Sequence, residues 1–413
     1  MQSRIRSISL FCILLQFCTL VQAGESRILT LEECVNSALT NNPSIAISNL
    51  KIKQATYQRK GAKGAMLPHL SALAYEALST DHSVMAFDVR VSQTIFAGGE
   101  LVARKEKARI GEQLAENDRE LTRADIVFEV RRTFYEIKKA EAESKLAREE
   151  LAAAEKMRDA TQKLLTSEVE IQAKMLDRIA DVAEREKNLL ESDQNLCLLS
   201  LYLKQLTGID FDSSAVFESL PNPSVEDEQS FNLKKELIRK LDLQVQEAEQ
   251  DLKIAKSRRF PKAMLVSRYR KEEDSFYQKN AFEAGVMVQW NIWDFGETSS
   301  EIQDKRSKVS EAQFKKAAAL QAVQFELNKG SELLLSKIKT IQISQKVLDA
   351  GQEYFKNIKT KHIQGDLSDL ALDAARVQLL RVETALEKSR CDYWLAEAEA
   401  LRLAEKVQGD GEV

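Results

Sequence analysis

The chain has 413 residues, 30% of them charged, and a formal net charge of −4. That mild acidity gives no basic footprint, so nucleic acid is not an expected partner. Three scattered histidines (His69, His82 and His362), no Gly-rich phosphate loop and no serine elbow leave no metal, cofactor or catalytic site to expect, so the chain does not read as an enzyme.

Residues 1–23 have the plan of a secretory signal peptide. Arg4 and Arg6 make a basic start, residues 8–21 an apolar stretch, and Val21-Gln22-Ala23 a small-residue cleavage site. The apolar stretch is shorter than the ~20 residues of a spanning helix, which makes an uncleaved inner-membrane anchor the weaker alternative. Cys18 follows bulky Phe17, where a lipidation signal needs a small residue, so no lipid anchor is expected. Removing the segment takes away two arginines and no acid, and the formal charge becomes −6. The remaining Cys34, Cys197 and Cys391 are odd in number and widely spaced, neither a disulfide framework nor a metal pattern. Cys197 and Cys391 fall in helix-periodic segments, where buried small apolar residues are expected.

The first repeat spans residues 24–215. Its strands lie at about 70–96, and in the second of them Val89, Val91 and Ile95 share one face while Arg90, Ser92 and Thr94 share the other. Gln93 interrupts the apolar face. Residues from about 99 to 207 then hold almost no glycine or proline, room for a helix of about 60 residues, on the order of 90–100 Å. Val127, Val130, Phe134, Ile137, Ala140, Ala147, Leu151 and Ala154 keep a three-four rhythm there, and Leu189, Leu196 and Leu203 mark a returning seam. Residues 216–230, with Pro221 and Pro223, read as a linker.

The second repeat spans residues 231–413, with strands at about 263–293 and long helices at about 296–406. Val286, Val288, Trp290 and Ile292 share one strand face, with Met287, Gln289 and Asn291 opposite. Leu320, Leu327, Leu334, Ile341, Leu348 and Phe355 recur at intervals of seven, as do Leu372, Leu379, Leu386 and Tyr393. A strict seven-residue repeat keeps one narrow apolar stripe on a partner helix.

The two halves repeat one plan. Ala62-Lys63-Gly64-Ala65-Met66-Leu67-Pro68 matches Ala255-Lys256-Ser257-Arg258-Arg259-Phe260-Pro261 at an offset of 193. Val91 through Glu100 matches Val288 through Glu297 at an offset of 197, and Phe128-Glu129-Val130 matches Phe325-Glu326-Leu327 at the same offset. The four-residue difference must fall between proline and second strand, where a loop absorbs it. Glu100 and Glu297 suit helix starts. The ten-residue apolar-out, polar-in rhythm suits a water-filled membrane barrel, and equally a half-buried strand of a soluble sheet.

These residues resemble the TolC family of outer-membrane factors over nearly the whole mature chain. The resemblance rests on Leu29-Thr30-Leu31-Glu32-Glu33-Cys34-Val35-Asn36-Ser37-Ala38-Leu39-Thr40-Asn41-Asn42-Pro43, on Leu67-Pro68, on Ile95-Phe96-Ala97-Gly98-Gly99 and on Leu206-Thr207-Gly208. Cys34 stands where the family has alanine. The resemblance implies a mainly α fold with a small β part, built from duplicated helix-strand-strand-helix halves. In a homotrimer these would form a twelve-stranded outer-membrane β-barrel continued by a long periplasmic α-helical barrel. It implies an outer-membrane channel subunit of a Gram-negative tripartite efflux or type I secretion system, working with a periplasmic adaptor and an inner-membrane pump. A periplasmic coiled-coil scaffold or adaptor without a barrel is the alternative. Lipid would face Val89, Val91, Val286, Val288, Trp290 and Ile292. Helix turns near residues 166–173 and 364–370 would form the closed end, with Thr166, Ser167, Glu168, Gln364, Gly365 and Leu367 as adaptor-contacting tips. Asp366, Asp369 and Asp373 would ring the entrance as selectivity acids, or serve only as solvated helix-start acids. Thr166-Ser167-Glu168 stands where the family has a glycine turn.

Overall fold

The computed structural model describes residues 28–78, 83–163, 169–211, 216–223, 231–274 and 278–406. The signal-peptide reading, Thr166, Ser167 and Glu168 lie outside them. In chain order the elements are β1 (Ile28–Leu29), α1 (Leu31–Asn41), α2 (Pro43–Gly64), β2 (His69–Leu78), β3 (Ser83–Phe96), α3 (Glu100–Lys163), α4 (Val169–Thr207) and β4 (Val216–Phe217). They continue with β5 (Phe231–Leu233), α5 (Lys235–Ser257), β6 (Lys262–Asp274), β7 (Gln278–Gln289), α6 (Glu297–Ile363), α7 (Asp369–Leu403) and β8 (Ala404–Lys406). The chain divides into two compact units.

One unit gathers Met1–Ala38, Val130–Pro223 and Thr340–Asp392. Its core sits where β1 pairs in parallel with β4, Leu29 opposite Phe217. Phe217 meets the fully buried Phe134 edge-on, at 5.5 Å between ring centres, and Phe211 at 5.8 Å. The Leu206-Thr207-Gly208 segment closes α4. Thr207 is buried, Gly208 takes a positive φ of 69°, and its N–H bonds Lys204 O. Ser37 of α1 donates to Thr207 O at 2.8 Å, which fixes the opening helix to this end.

The heptad residues do the packing. Leu334 and Leu348 of α6, and Leu386 of α7, are buried, whereas Ile343, Val347 and Tyr354 of α6 stand exposed. A stripe at intervals of seven therefore meets a partner helix, and a second apolar stripe has no cover among the described residues. Where helices approach closely the residues are small: a Cβ on Gly351 would lie 3.7 Å from Leu379. Cys34 and Cys391 are buried free thiols, and burial pushes Cys391 up to about 12, so it packs as a neutral group. Cys197 corrects the expectation of burial. It is exposed, on the face of α4 away from the Leu203 seam.

The other unit gathers Leu39–Glu129, Ser224–Lys339 and Tyr393–Val413. It holds the four-stranded antiparallel sheet, in the order β2-β3-β6-β7, and the short β5-β8 pair. The two hairpins keep one register each. His69 pairs Ser92 in the first, and Lys262 pairs Gln289 in the second. Shifting the first by the two sequence offsets, 193 and 197, reproduces the second, so the four-residue difference lies in the hairpin tip. Equivalent bonds recur as well. Gln93 Nε2 donates to Met66 O at 3.3 Å, and its repeat-mate Trp290 donates through Nε1 to Arg259 O at 3.2 Å.

Five sequence boundaries move. The opening segment is two helices, because Asn42 caps α2 through Ser44 N and Pro43 takes its first turn. The 216–230 linker begins in the β1-β4 pair, which needs the extended backbone there. The second strand region stops at Gln289 rather than 293, since nothing pairs with residues 290–293; Trp290 and Ile292 therefore lie beyond the strand. Residues 169–173 are already helical rather than turn. The last helix ends at Leu403, where Ala404–Lys406 turns to pair with β5.

The repeated turn before each long helix is a pair of left-handed residues. Gly98 and Gly99 have φ of 59° and 87°, and Phe295 and Gly296 have 51° and 92°. At Gly98 a Cβ would sit 2.7 Å from Ser257 O and 2.8 Å from Phe260 Cβ. Gly98→Ala is expected to cost about 1–3 kcal/mol from strain and contact. Gly64→Ala, a helical site with nothing within 4 Å, should be neutral or gain up to about 1 kcal/mol. Thermal unfolding in detergent measures both, and equal melting temperatures for the two variants would contradict the close approach at Gly98.

Candidate functional site

Two regions hold the residues singled out by sequence, and they belong to different units. The first is the sheet. Direct cross-strand neighbours point to the same side of a sheet. The register therefore places Leu70, Ala72 and Ala74 of β2 with Phe87, Val89 and Val91 of β3, then Leu265 and Tyr269 of β6, then Phe282, Val286 and Val288 of β7. Gln93 and Ser267, and toward the hairpin Glu76, Lys271, Glu273 and Asn280, are this face's polar exceptions. The opposite face is polar and cross-linked. Arg268 Nε donates to Asp88 at 2.6 Å, and Arg270 donates to the Tyr75 hydroxyl at 2.8 Å and pairs with Glu272 at 2.5 Å. A sheet with one apolar, uncovered face and one charged face can separate lipid from water.

Val89, Val91, Val286 and Val288 thus share one face of one sheet. Val91, Val286 and Val288 are exposed, as are Trp290 and Ile292 just past the strand end. Beside those two stand Trp293 and Phe295, which meet edge-on at 6.0 Å. Sequence reading missed this aromatic pair because it follows the alternating stretch. Asp294, between them, is the cap of α6, accepting from Gly296 N at 3.2 Å and Thr298 N at 3.0 Å. It occupies the position of Ala97, so the repeat comparison could have found it.

The second region is the α6-α7 turn. Gly365, at a φ of 85°, ends α6 in a Schellman motif: its N–H bonds His362 O, and Asp366 N bonds Lys361 O at 3.0 Å. Ser368 Oγ accepts from Ala371 N at 3.4 Å and opens α7. Gln364, Gly365 and Asp366 are exposed on the turn, and Leu367 is half-buried. The three acids part company here. Asp366 is solvent-facing. Asp369 is 94% exposed and lies 2.7 Å from His362 Nε2. Asp373 is paired with Lys156 Nζ of α3 at 2.7 Å. Lys156 was invisible from sequence because it lies 217 residues away along the chain.

Further along these helices one carboxylate holds two guanidinium groups. Glu150 of α3 accepts from Arg381 of α7 at 2.6 Å and from Arg185 of α4 at 2.8 Å, and its side chain is only 13% exposed. Nearby, Lys388 pairs with Glu143 at 2.5 Å. On the same helix Ser144 and Arg148 bond Asp193 at 2.5 and 3.1 Å. The Ser144 hydroxyl, then Arg148, hold that carboxyl below its ordinary value of 3.8. Among the described residues no group of histidine, cysteine and carboxylate side chains could hold a metal, and no helix is long and apolar enough to cross a membrane.

Glu150→Ala should lower stability by about 2–3 kcal/mol, since it leaves two arginines facing each other without a partner. Denaturant unfolding measures it, and an unchanged midpoint would show that the clamp is only decorative. For Asp193 the folded carboxyl is depressed, so its contribution is full above the unfolded value, about pH 4, and is lost as pH falls through the folded one. Asp193→Asn should therefore be less stable than the parent at pH 7, with the gap closing below about pH 4.

Residues 34–208 match the family described as outer membrane efflux protein. No curated protein matches the chain in sequence. Three solved structures show the same fold at low identity. The CmeC outer membrane channel of Campylobacter jejuni is 15% identical, with a TM-score of 0.76 over 90% of this chain and 84% of that one. The outer membrane protein VceC of Vibrio cholerae is 17% identical, with 0.71 over 90% and 96%. The open state of the MtrE outer membrane channel of Neisseria gonorrhoeae is 16% identical, with 0.72 over 90% and 88%.

Proposed function

We propose that this chain is one protomer of a trimeric export duct, carrying cargo from a periplasmic adaptor and inner-membrane pump through the outer membrane. The match of residues 34–208 to the outer membrane efflux protein family supports the coarse role, an outer-membrane efflux channel with a large periplasmic helical portion. The observation that supports the finer reading is the sheet. Four strands with one apolar face end in two open edges, β2 and β7. In hydrocarbon every unpaired ladder group costs several kcal/mol, so the sheet must close with strands from other copies. Three copies give twelve strands. Val89, Val91, Val286, Val288, Trp290 and Ile292 then face lipid, and Asp88, Arg268 and Arg270 face the lumen. The uncovered apolar stripe of α6 calls for a helix of a neighbouring copy, which a lone periplasmic scaffold does not explain.

At the α6-α7 turn, three copies of Asp366 and Asp369 would bring negative charge together, favouring cations at a narrow mouth. Lys156 offsets Asp373 locally. The exposed Gln364 and Gly365 and the half-buried Leu367 are the surface offered to an adaptor.

Purified in mild detergent, the protein should have the mass of a trimer and give small cation-preferring currents in a planar bilayer. Asp369→Ala with Asp373→Ala should reduce the cation preference by several-fold, and Asp369→Ala should carry most of the change. A water-soluble monomer without conductance would overturn the duct.

A further inference from the structure

Both flanks of α3 are taken within the chain. Thr56 of α2 donates to Glu112 at 2.8 Å on one side, and Lys107 donates to Asp251 of α5 at 2.6 Å on the other. Between these flanks α2, α3 and α5 leave a cavity of about 570 Å³. Its floor is Gly61, Ala62 and Ala65 of α2 with Ala108 and Gly111 of α3, and Leu101 and Ile254 add apolar wall. The stretch from Leu101 to Gly111 runs about 15 Å along α3. A cavity of that size, mainly apolar with a few polar groups at its rim, has the make-up of a small-molecule site. The fold does not call for the small residues that keep it open. Among the described residues, a Cβ on Gly61 or on Gly111 would meet nothing within 4 Å, and neither glycine has a positive φ. Glycine inside a helix is less stable than alanine, so both positions cost stability without closer packing in return. The repeated plan does not call for them either. At the same two offsets, Gly61, Ala65, Ala108 and Gly111 correspond to Ile254, Arg258, Lys305 and Lys308, all of them larger.

The rim is charged, and unevenly. Glu247, one turn before Asp251 on α5, stands 3.8 Å from the Lys107 ammonium that Asp251 already holds, and its side chain is 38% exposed. Two carboxylates share one ammonium, which leaves a net negative charge on that wall. Elsewhere on the rim Arg104 is neutralised by Glu100, to which its Nε donates at 2.8 Å. Glu100 also pairs with Lys262 at 2.7 Å. Lys262 alternates with Arg268 along β6, so it belongs to the charged face of the sheet. The cavity therefore opens beside the line of residues that continues this face along α3. We propose that it is a binding site for an amphipathic organic cation, whose flat apolar body lies on the glycine-alanine floor and whose charge meets Glu247. An anion would meet two carboxylates there, and a neutral molecule would leave the excess charge uncompensated. That the ligand is cargo rests on the duct reading, which turns the charged face of the sheet toward the passage. The cavity itself does not rest on it, because a neighbouring copy finds both flanks of α3 occupied.

Titration calorimetry with tetraphenylphosphonium on the full chain in mild detergent, alongside its mass and its conductance in a planar bilayer, tests the site. The parent should take up one cation per chain. Gly61→Leu and Gly111→Leu fill the floor from two different helices, and each should weaken binding by about tenfold or more. Val102→Phe, on the same helix as Gly111 and outside the cavity, should bind as the parent does. Glu247→Gln keeps the Lys107–Asp251 pair, so it should fold as the parent does and weaken the cation by about threefold. The same variant should leave the neutral triphenylphosphine oxide unaffected. If a leucine variant fails to fold, the Glu247→Gln comparison between charged and neutral probes still decides. Binding unchanged in both leucine variants, or an equal loss of both probes in Glu247→Gln, would overturn the cation site. No binding to a protein that conducts would overturn the site and leave the duct standing. Binding with the expected dependences in a water-soluble monomer would sustain the site and overturn the duct, and no binding in such a monomer would overturn both.

Discussion

The sheet has two unpaired edges, and the rest of the structure follows from where those edges can be satisfied. A strand in water can leave its outer N–H and C=O groups to solvent. A strand whose face is Val286, Val288 and Phe282, all exposed, cannot do so in lipid, where no water replaces the missing partner. The chain supplies one seam itself, by writing the hairpin twice and pairing β3 with β6. The outer edges of β2 and β7 stay unpaired among the described residues. In the proposed trimer, duplication thus solves half of the closure problem covalently.

Burial separates the committed charges from the free ones. Glu150 sits between Arg185 and Arg381, nearly out of water, and each of its oxygens has a guanidinium partner. Such a carboxylate is committed to tying three helices and has no freedom to act on a passing ion. Asp369 is almost fully exposed on the first turn of α7, and Asp366 contributes its backbone to the helix cap while its side chain faces solvent. Exposure of this kind is poor for stability, since surface pairs contribute about 0–1 kcal/mol. It is what a charge needs if it is to be felt by something in the aqueous passage.

Much of this was legible from sequence, for identifiable reasons. The heptads at Leu327, Leu334 and Leu348 gave the packed face of α6 because burial on a long helix follows the repeat directly. The faces of β3 and β7 followed from alternation, and the location of the four-residue difference from two offsets. What the sequence hid were contacts between distant segments. Lys156 with Asp373 and Asp88 with Arg268 join residues more than 150 apart, and neither partner carries a local sign of the other. Cys197 misled because a helical period fixes a spacing and does not say which side of the helix is covered.

The premature end of β7 is the most instructive departure. The sequence of residues 290–293 is at least as strand-like as that of residues 93–96, with Trp290, Ile292 and Trp293 against Gln93, Ile95 and Phe96. Only the second set forms a ladder. The difference cannot come from local propensity, which favours the set that stays unpaired. It comes from the neighbour: Leu265 and Met264 pair with residues 93 and 94, and among the described residues no strand pairs with residues 290 and 291. Strand formation at a sheet edge is a property of two segments together, so a segment that has the pattern and lacks the ladder marks where its partner belongs. The strained, exposed Phe295 one step further on, held at positive φ by the Asp294 cap, belongs to the same unfinished edge.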